Sequence, residues 1–260
     1  MTYIHPRTNS QTNNPWFAWL DPRKDSLMRL FCFPCAGGTP SMFCNWSNQL
    51  PKHIEVVAVR LPGRDMRIKE TPFSEWPLLL SAAEQALDPY LDKPFAFFGH
   101  SLGARLAYEL TRRLQEKKKS LPRQLLIAGC RCPHIPSPKP YMYDLPEQEF
   151  HECLQKMSGT PPEVLADRRL MAMLEPTIRA DMKLAEVWGG TVKELLNVPI
   201  AAFSGLQDDI DPPDKMVEWK RYTSVDFTFH TLSGNHFFIR SSEALLLDLI
   251  ANICGLAAGA

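Results

Sequence analysis

The ten residues Phe95–Ala104 place a serine at a sharp turn between an apolar strand and an amphipathic helix. Gly99 and Gly103 flank Ser101 at minus two and plus two, so the strand and the helix can cross without a Cβ clash. A strained turn of this kind raises the hydroxyl clear of the sheet edge. It also directs the positive end of the helix dipole at whatever approaches. Ser101 is therefore the predicted nucleophile.

Short, nearly continuous apolar runs recur along the chain and are typical of strands buried on both faces of a parallel sheet. The runs are Leu27–Phe33, Ile54–Val59, Phe95–Phe98, Leu125–Ala128 and Val198–Phe203, followed by the alternating Val225–Leu232, which suits a strand near the edge. Helical segments separate them at Ser41–Leu50, Trp76–Leu91, Leu102–Lys118, Pro213–Tyr222 and Ser241–Cys254. We expect one α/β domain, with a mostly parallel central sheet flanked by helices.

The stretch between Cys130 and Val198 is longer than one crossover helix needs and predicts a helical lid insertion at about 133–190. Its helical pieces are Glu147–Met157, Pro162–Met173 and Pro176–Trp188. Because the insertion leaves the carboxyl edge of the sheet, it would lie over Ser101. Its large apolar residues would line an acyl channel or form only the inner face of a small cap. They are Met157, Met171, Met173, Leu174, Met182, Leu184 and Trp188.

The overall composition argues against a nucleic acid or a membrane surface as partner. The 260 residues include 29 basic and 29 acidic side chains, so the formal net charge is zero and no basic field exists. The one run of like charge, Lys117–Lys119, is expected to be a solvated helix end. We predict an N-terminal extension at residues 1–26 and the α/β domain with its lid at residues 27–260.

The lack of a recognisable targeting signal and the spacing of the cysteines predict a cytoplasmic protein without cofactor or metal. No apolar stretch approaches a membrane span, and residues 1–20 are unlike an export signal. Seven scattered cysteines then indicate reduced thiols. Cys32 and Cys35 have C-x-x-C spacing, but Cys32 falls in a predicted buried strand and no second ligand pair has zinc spacing.

A serine hydroxyl needs a base to take its proton, and His236 is the strongest candidate. It follows the last strand, beside Gly234-Asn235 and ahead of the final helix. His230 falls inside the strand, and His100 adjoins Ser101 on a turn where neighbouring side chains diverge. In the α/β-hydrolase plan, nucleophile, acid and histidine follow one another in this chain order.

The orienting acid is predicted in the loop after Val198–Phe203, where three aspartates crowd together. We favour Asp208, three residues after Gly205, because the loop is just leaving the strand there. Asp209 and Asp211 are expected to face solvent or to cap the helix that follows.

An oxyanion formed at the attacked carbonyl needs two fixed N–H donors. One is expected to be the Leu102 N–H, directly after the nucleophile. The other is expected from the loop Pro34-Cys35-Ala36-Gly37-Gly38, whose glycines let the backbone approach a substrate closely, and we assign the Ala36 N–H.

Five segments occur in an order and at separations that resemble the type II thioesterases of nonribosomal peptide and polyketide synthases. They are Phe33-Pro34-Cys35-Ala36-Gly37-Gly38, Leu61-Pro62-Gly63-Arg64, Gly99-His100-Ser101-Leu102-Gly103, Glu175-Pro176-Thr177-Ile178-Arg179-Ala180-Asp181 and Gly234-Asn235-His236-Phe237-Phe238. The resemblance covers residues 28–255. A generic lipase would share the serine turn, but not the Pro-x-Ala-Gly-Gly loop together with the Leu-Pro-Gly-Arg and Arg-Ala-Asp segments. Asn235 departs from the pattern, where glycine is expected beside the histidine.

The resemblance implies an α/β-hydrolase fold with a helical lid and a monomer that removes acyl groups from the phosphopantetheine arm of acyl or peptidyl carrier proteins. It implies Ser101 as nucleophile, His236 as base and Asp208 as acid, with Ala36 and Leu102 as oxyanion donors. One alternative is a carboxylesterase or lipase acting on oxygen esters of small molecules. The other is a non-catalytic protein that binds synthases.

Overall fold

The computed structural model describes residues 14–19, 21–190 and 194–258. Seven strands in this part of the chain form one sheet in the order β1-β3-β2-β4-β5-β6-β7. Each neighbouring pair is parallel except β1 with β3. The strands are β1 Phe17–Trp19, β2 Met28–Phe33, β3 Ile54–Val59, β4 Phe95–His100, β5 Leu125–Ala128, β6 Ile200–Gly205 and β7 Phe227–Leu232. The predicted mostly parallel α/β architecture is confirmed.

Helices connect the strands and cover both faces of the sheet. They are α1 Trp46–Gln49, α2 Trp76–Leu87, α3 Leu102–Glu116, α4 Glu147–Met157, α5 Pro162–Ala166, α6 Arg168–Val187, α7 Pro213–Met216, α8 Phe238–Ser241 and α9 Glu243–Ala258. None of the helices in the described part of the chain is long and apolar enough to cross a membrane.

The side chains of β4 explain why its sequence is apolar without interruption. Phe95 and Phe97 pack in the cluster under α2 and α3, while Ala96 and Phe98 pack in the cluster under α1 and α9. Alternate residues of a strand point to opposite faces, and here both faces are covered. By contrast β7 is half-exposed at the sheet edge, as its alternating sequence predicts.

Two predicted helices are shorter than expected. The segment 41–50 forms a 3-10 turn at Pro40–Phe43 followed by α1, and 213–222 forms α7 followed by a 3-10 turn at Val217–Tyr222. Each segment buries a tryptophan completely, Trp46 in the first and Trp219 in the second. Packing of these large side chains overrides the weak local helix propensity.

Part of the predicted N-terminal extension belongs to the sheet. Strand β1 pairs antiparallel with β3, with Phe17 opposite Val59, and thereby forms the edge opposite β7. Phe17 packs against Phe31 and against the edge of Tyr90. The strand predictions do not include β1, because a strand of only three residues leaves little pattern in the sequence. Residues 1–13 lie outside the described residues.

The lid region between β5 and β6 consists of α4, α5 and α6 around a small apolar cluster of its own. The sequence predicts a break at Pro176, but α6 continues through it. Asp167 caps the N-terminus by accepting the N–H groups of Arg169 and Leu170. Beyond the proline, Thr177 donates to the Gly63 carbonyl at 2.7 Å, which attaches this part of α6 to the body of the protein.

Candidate active site

Ser101 lies between β4 and α3 with φ 55° and ψ −113°, a backbone conformation that residues other than glycine rarely adopt. Its N–H donates to the Ala128 carbonyl at 2.9 Å, which ties the turn to β5. A Cβ at Gly99 would collide with the first turn of α3, and one at Gly103 would collide with the Phe33 carbonyl. The crossing of strand and helix therefore requires both glycines, as the sequence predicts.

His236 and Asp208 meet in a buried pair, with His236 Nδ1 2.9 Å from Asp208 Oδ2. The other carboxylate oxygen accepts the N–H groups of Ile210 and Asp211, each at 2.9 Å. Burial raises the pKa of Asp208, but the hydrogen bonds and the nearby imidazole outweigh it and hold this pKa below its ordinary value. Asp208 is thus an ionised, fixed acceptor that orients the imidazole ring.

The second ring nitrogen, His236 Nε2, is buried and has no hydrogen-bond partner among the residues that the structure describes. His236 and Ser101 line the same cavity. With Nδ1 engaged by Asp208, the ring presents Nε2 as the nitrogen that can accept a proton. The structure thus brings together the predicted nucleophile, base and acid, and their catalytic roles remain predictions.

The two competing histidines are occupied elsewhere. His100 Nε2 lies 2.8 Å from the His236 carbonyl, and burial lowers the pKa of His100 to about 3. It is therefore a neutral donor that fixes the loop carrying His236. His230 stacks on Phe203 along β7.

Of the two remaining aspartates, Asp209 is exposed, as expected, but Asp211 is fully buried. The expectation that Asp211 faces solvent or caps a helix is wrong. Asp211 Oδ1 lies 2.6 Å from Arg131 Nε, and Oδ2 lies 3.5 Å from Arg105 Nη2. Because these arginines come from separate parts of the chain, the sequence around Asp211 does not predict its ion pairs with them.

The predicted oxyanion donors lie beside the nucleophile. Ala36 lines the cavity with Ser101, and Leu102 is the first residue of α3. Within the described part of the chain, no acceptor receives the N–H of Ala36 or of Leu102. Both N–H groups are therefore available to a substrate oxygen.

A buried ion pair holds the loop that follows Ala36. Arg64 Nη1 and Nη2 donate to the two Asp181 carboxylate oxygens at 2.7 and 2.8 Å, and both side chains are almost completely buried. Asp181 also accepts the Gly37 N–H at 2.8 Å, and Arg64 donates to the Gly38 carbonyl at 3.2 Å. The Leu-Pro-Gly-Arg and Arg-Ala-Asp segments thus converge on this loop. Both segments contribute to the resemblance, but their sequences alone do not predict this contact.

The cavity beside Ser101 has a volume of about 570 Å³. The lid residues divide between the two readings that the sequence left open. Met157, Leu174 and Met182 line the cavity, whereas Met171 packs inside the lid. Leu184 and Trp188 belong to the main core, and Met173 is exposed. The insertion therefore supplies apolar residues both to the cavity wall and to a packed cap.

The candidate metal and redox groups are otherwise engaged. Burial raises the pKa of the Cys35 thiol to about 11, which disfavours the thiolate that redox or zinc chemistry needs. In the lid, ligand atoms of Glu147, His151 and Glu175 lie within 4.8 Å of one another. Arg179 Nε donates to Glu175 at 2.7 Å, so one of the two carboxylates already pairs with a cation.

Comparison with known proteins identifies the family to which the chain belongs. The model of the thioesterase domain family matches residues 28–254. The chain is 34% identical over 250 residues to the gramicidin S biosynthesis protein GrsT of Aneurinibacillus migulanus, covering 96% of this chain and 95% of that protein. It is also 34% identical over 225 residues to the medium-chain S-acyl fatty acid synthase thioesterase of Rattus norvegicus, covering 84% of each.

Solved structures give the same result. The type II thioesterase BorB from the borrelidin biosynthetic cluster has a TM-score of 0.81 at 29% identity, with 92% of this chain and 95% of that chain covered. These similarities confirm the resemblance to type II thioesterases and the predicted α/β-hydrolase fold. The protein is a thioester hydrolase, and the chain belongs to the thioesterase family.

Proposed function

We propose that this protein hydrolyses acyl thioesters carried on the phosphopantetheine arm of acyl or peptidyl carrier proteins, with Ser101 as nucleophile, His236 as base and Asp208 as orienting acid. The observation that carries the proposal is the buried Asp208–His236 pair, whose remaining nitrogen and Ser101 border one cavity. Ala36 and Leu102 supply the N–H donors for the oxyanion.

The reaction proceeds in two steps, acylation of Ser101 and hydrolysis of the resulting ester. Ser101 Oγ attacks the thioester carbonyl carbon while His236 Nε2 takes the hydroxyl proton, and the carbonyl oxygen becomes an oxyanion held by the two N–H groups. The C–S bond then breaks, and the imidazolium returns its proton to the leaving thiolate. In the second step a water molecule, deprotonated by His236, attacks the carbonyl carbon of the acyl-Ser101 ester. The bond from this carbon to Ser101 Oγ then breaks, and the imidazolium returns the proton to Oγ, which releases the free acid and restores the serine.

The carrier-bound substrate is inferred from the relatives. GrsT is named for gramicidin S biosynthesis, BorB is a type II thioesterase of the borrelidin cluster, and the rat relative is a fatty acid synthase thioesterase. Two of these names refer to biosynthesis, and the third refers to a fatty acid synthase. We infer that this protein serves a nonribosomal peptide, polyketide or fatty acid synthase as a separate monomeric cytoplasmic enzyme, with residues 133–190 as its lid.

Hydrolysis of acyl carrier substrates by wild type and Ser101→Ala tests the proposal. Wild type is expected to release the acid and the free thiol in equal amounts, and Ser101→Ala is expected to fold and lose turnover. A fluorophosphonate should label wild type and spare the variant. Undiminished turnover by Ser101→Ala would overturn the assignment. Faster cleavage of small oxygen esters than of acyl carriers would favour a carboxylesterase instead.

A further inference from the structure

The wall of the cavity one helical turn beyond Ser101 is charged rather than apolar. Arg105, Arg131 and Asp211 all line the cavity and are respectively 3%, 7% and 0% exposed. Charged side chains are rarely buried to this extent unless paired, and here two guanidinium groups share one carboxylate. The proposed triad uses none of the three side chains.

The contacts within this cluster leave hydrogen-bonding capacity unused. Asp211 lies within ion-pair distance of Arg131 and Arg105, at 2.6 and 3.5 Å, but neither contact has hydrogen-bond geometry. Arg105 Nε and Nη1 have no hydrogen-bond partner in residues 14–19, 21–190 and 194–258. The indole of Trp188 covers one face of this guanidinium at 5.4 Å, which leaves its N–H edge for an acceptor.

The other charges around the cavity do not supply that acceptor. Glu186 also lines it, but both of its carboxylate oxygens already accept backbone N–H groups, from Met142 and Tyr143 at 2.9 and 3.0 Å. Burial, which outweighs these two hydrogen bonds, raises the pKa of Glu186 above its ordinary value. A third arginine, Arg240, lines the cavity as well. The described lining therefore favours an incoming oxygen acceptor over an incoming cation.

The position of Arg105 on α3 indicates which part of a bound acyl chain it can contact. Arg105 follows Ser101 by four residues, and one helical turn rises about 5.4 Å. Because Ser101 and Arg105 line the same cavity, we expect an acyl chain bound through its carbonyl at Ser101 to reach Arg105 at roughly its third to fifth carbon. Resting on the proposed thioester hydrolysis, we propose that Arg105 and Arg131 bind an oxygen acceptor on that part of the acyl chain. The favoured substrates are then hydroxy-, oxo- or carboxy-substituted acyl groups.

Matched acyl thioesters of pantetheine test the subsite: butanoyl, 3-hydroxybutanoyl and succinyl. The measured quantity is the ratio of kcat/KM for each oxygenated chain to that for butanoyl. For wild type we expect this ratio to be about ten or more, the size of one hydrogen bond to a charged group. Arg105→Met should bring it close to one, and Arg105→Lys should retain part of it. Arg112→Met, on the same helix but outside the cavity, should keep the wild-type ratio.

The outcomes separate the subsite from the proposed function. A preference for either oxygenated chain that disappears in Arg105→Met supports the subsite, and the two chains distinguish a neutral from an anionic acceptor. Equal kcat/KM for all three thioesters in wild type overturns the subsite while hydrolysis stands. Should Arg105→Met not fold, inhibition of wild type by the free acids decides the question. Equal inhibition by butanoate, 3-hydroxybutanoate and succinate also overturns it.

Discussion

The Arg64 guanidinium and the Asp181 carboxylate form a two-pronged hydrogen-bonded pair that joins the lid helix α6 to the loop beside Ser101. The same carboxylate accepts the Gly37 N–H, and a Cβ at Gly37 would lie 3.2 Å from Ile178 of α6. Lid and loop therefore form one unit. Because Ala36 precedes Gly37, we expect a displacement of α6 to move the Ala36 N–H, the proposed oxyanion donor.

Asp181→Asn should lower kcat by about ten- to a hundred-fold with little change in KM, because a displaced oxyanion donor weakens binding of the transition state more than of the substrate. Steady-state kinetics measure this split. Affinity for a trifluoromethyl ketone analogue should fall by the same factor as kcat/KM.

Thr177→Val is the matched control for that variant. It removes a hydrogen bond from the same helix to the Gly63 carbonyl, away from Gly37. It should leave kcat within about two-fold of wild type while lowering stability by about 1 kcal/mol. An Asp181→Asn variant that raises KM at unchanged kcat would contradict a role in positioning the loop.

The serine turn makes a prediction about folding. Gly103→Ala should destabilise the protein by about 1–3 kcal/mol or prevent folding, because the new Cβ would collide with the Phe33 carbonyl. Gly255→Ala, where nothing lies within 4 Å, should stabilise α9 by about 0.5–1 kcal/mol. Urea unfolding of both variants measures the two effects. Equal stability of both variants would contradict the steric account.

The parts of this site that could be predicted are those fixed by local sequence. The turn at Ser101 has its own signature, and Asp208 and His236 each follow a recognisable strand. The Arg64–Asp181 pair joins residues 117 positions apart, and its partners meet only when the lid packs on the body. The prediction for Asp211 is wrong for the same reason, since its arginines come from α3 and from the loop after β5. Neither residue type nor spacing encodes such contacts.

His100 makes stability depend on pH. Burial lowers the pKa of His100 to about 3 in the folded protein from an ordinary value of 6.5. The unfolded chain therefore binds a proton below pH 6.5 that the native state refuses until about pH 3. This contribution is fully present above pH 6.5 and is lost as the pH falls towards 3, by at most about 1.4 kcal/mol per pH unit.

His100→Gln keeps a donor for the His236 carbonyl without the titrating ring. Its free energy of unfolding should therefore fall less than that of wild type between pH 7 and pH 4. Urea unfolding at both pH values measures the difference. Identical losses for wild type and variant would show that His100 titrates normally in the folded protein.

The acid of the proposed triad can be identified by two neighbouring substitutions. Asp208→Asn should lower kcat by roughly 10³–10⁴-fold, because the amide no longer favours the imidazole tautomer and imidazolium that the reaction needs. Its fold should survive, since the amide oxygen can still accept the N–H groups of Ile210 and Asp211. Asp209→Asn, one residue away and exposed, should retain wild-type turnover. Turnover of both variants on one acyl carrier substrate, with thermal melting as a check on folding, decides the assignment. Near-normal turnover by Asp208→Asn would remove Asp208 from the mechanism.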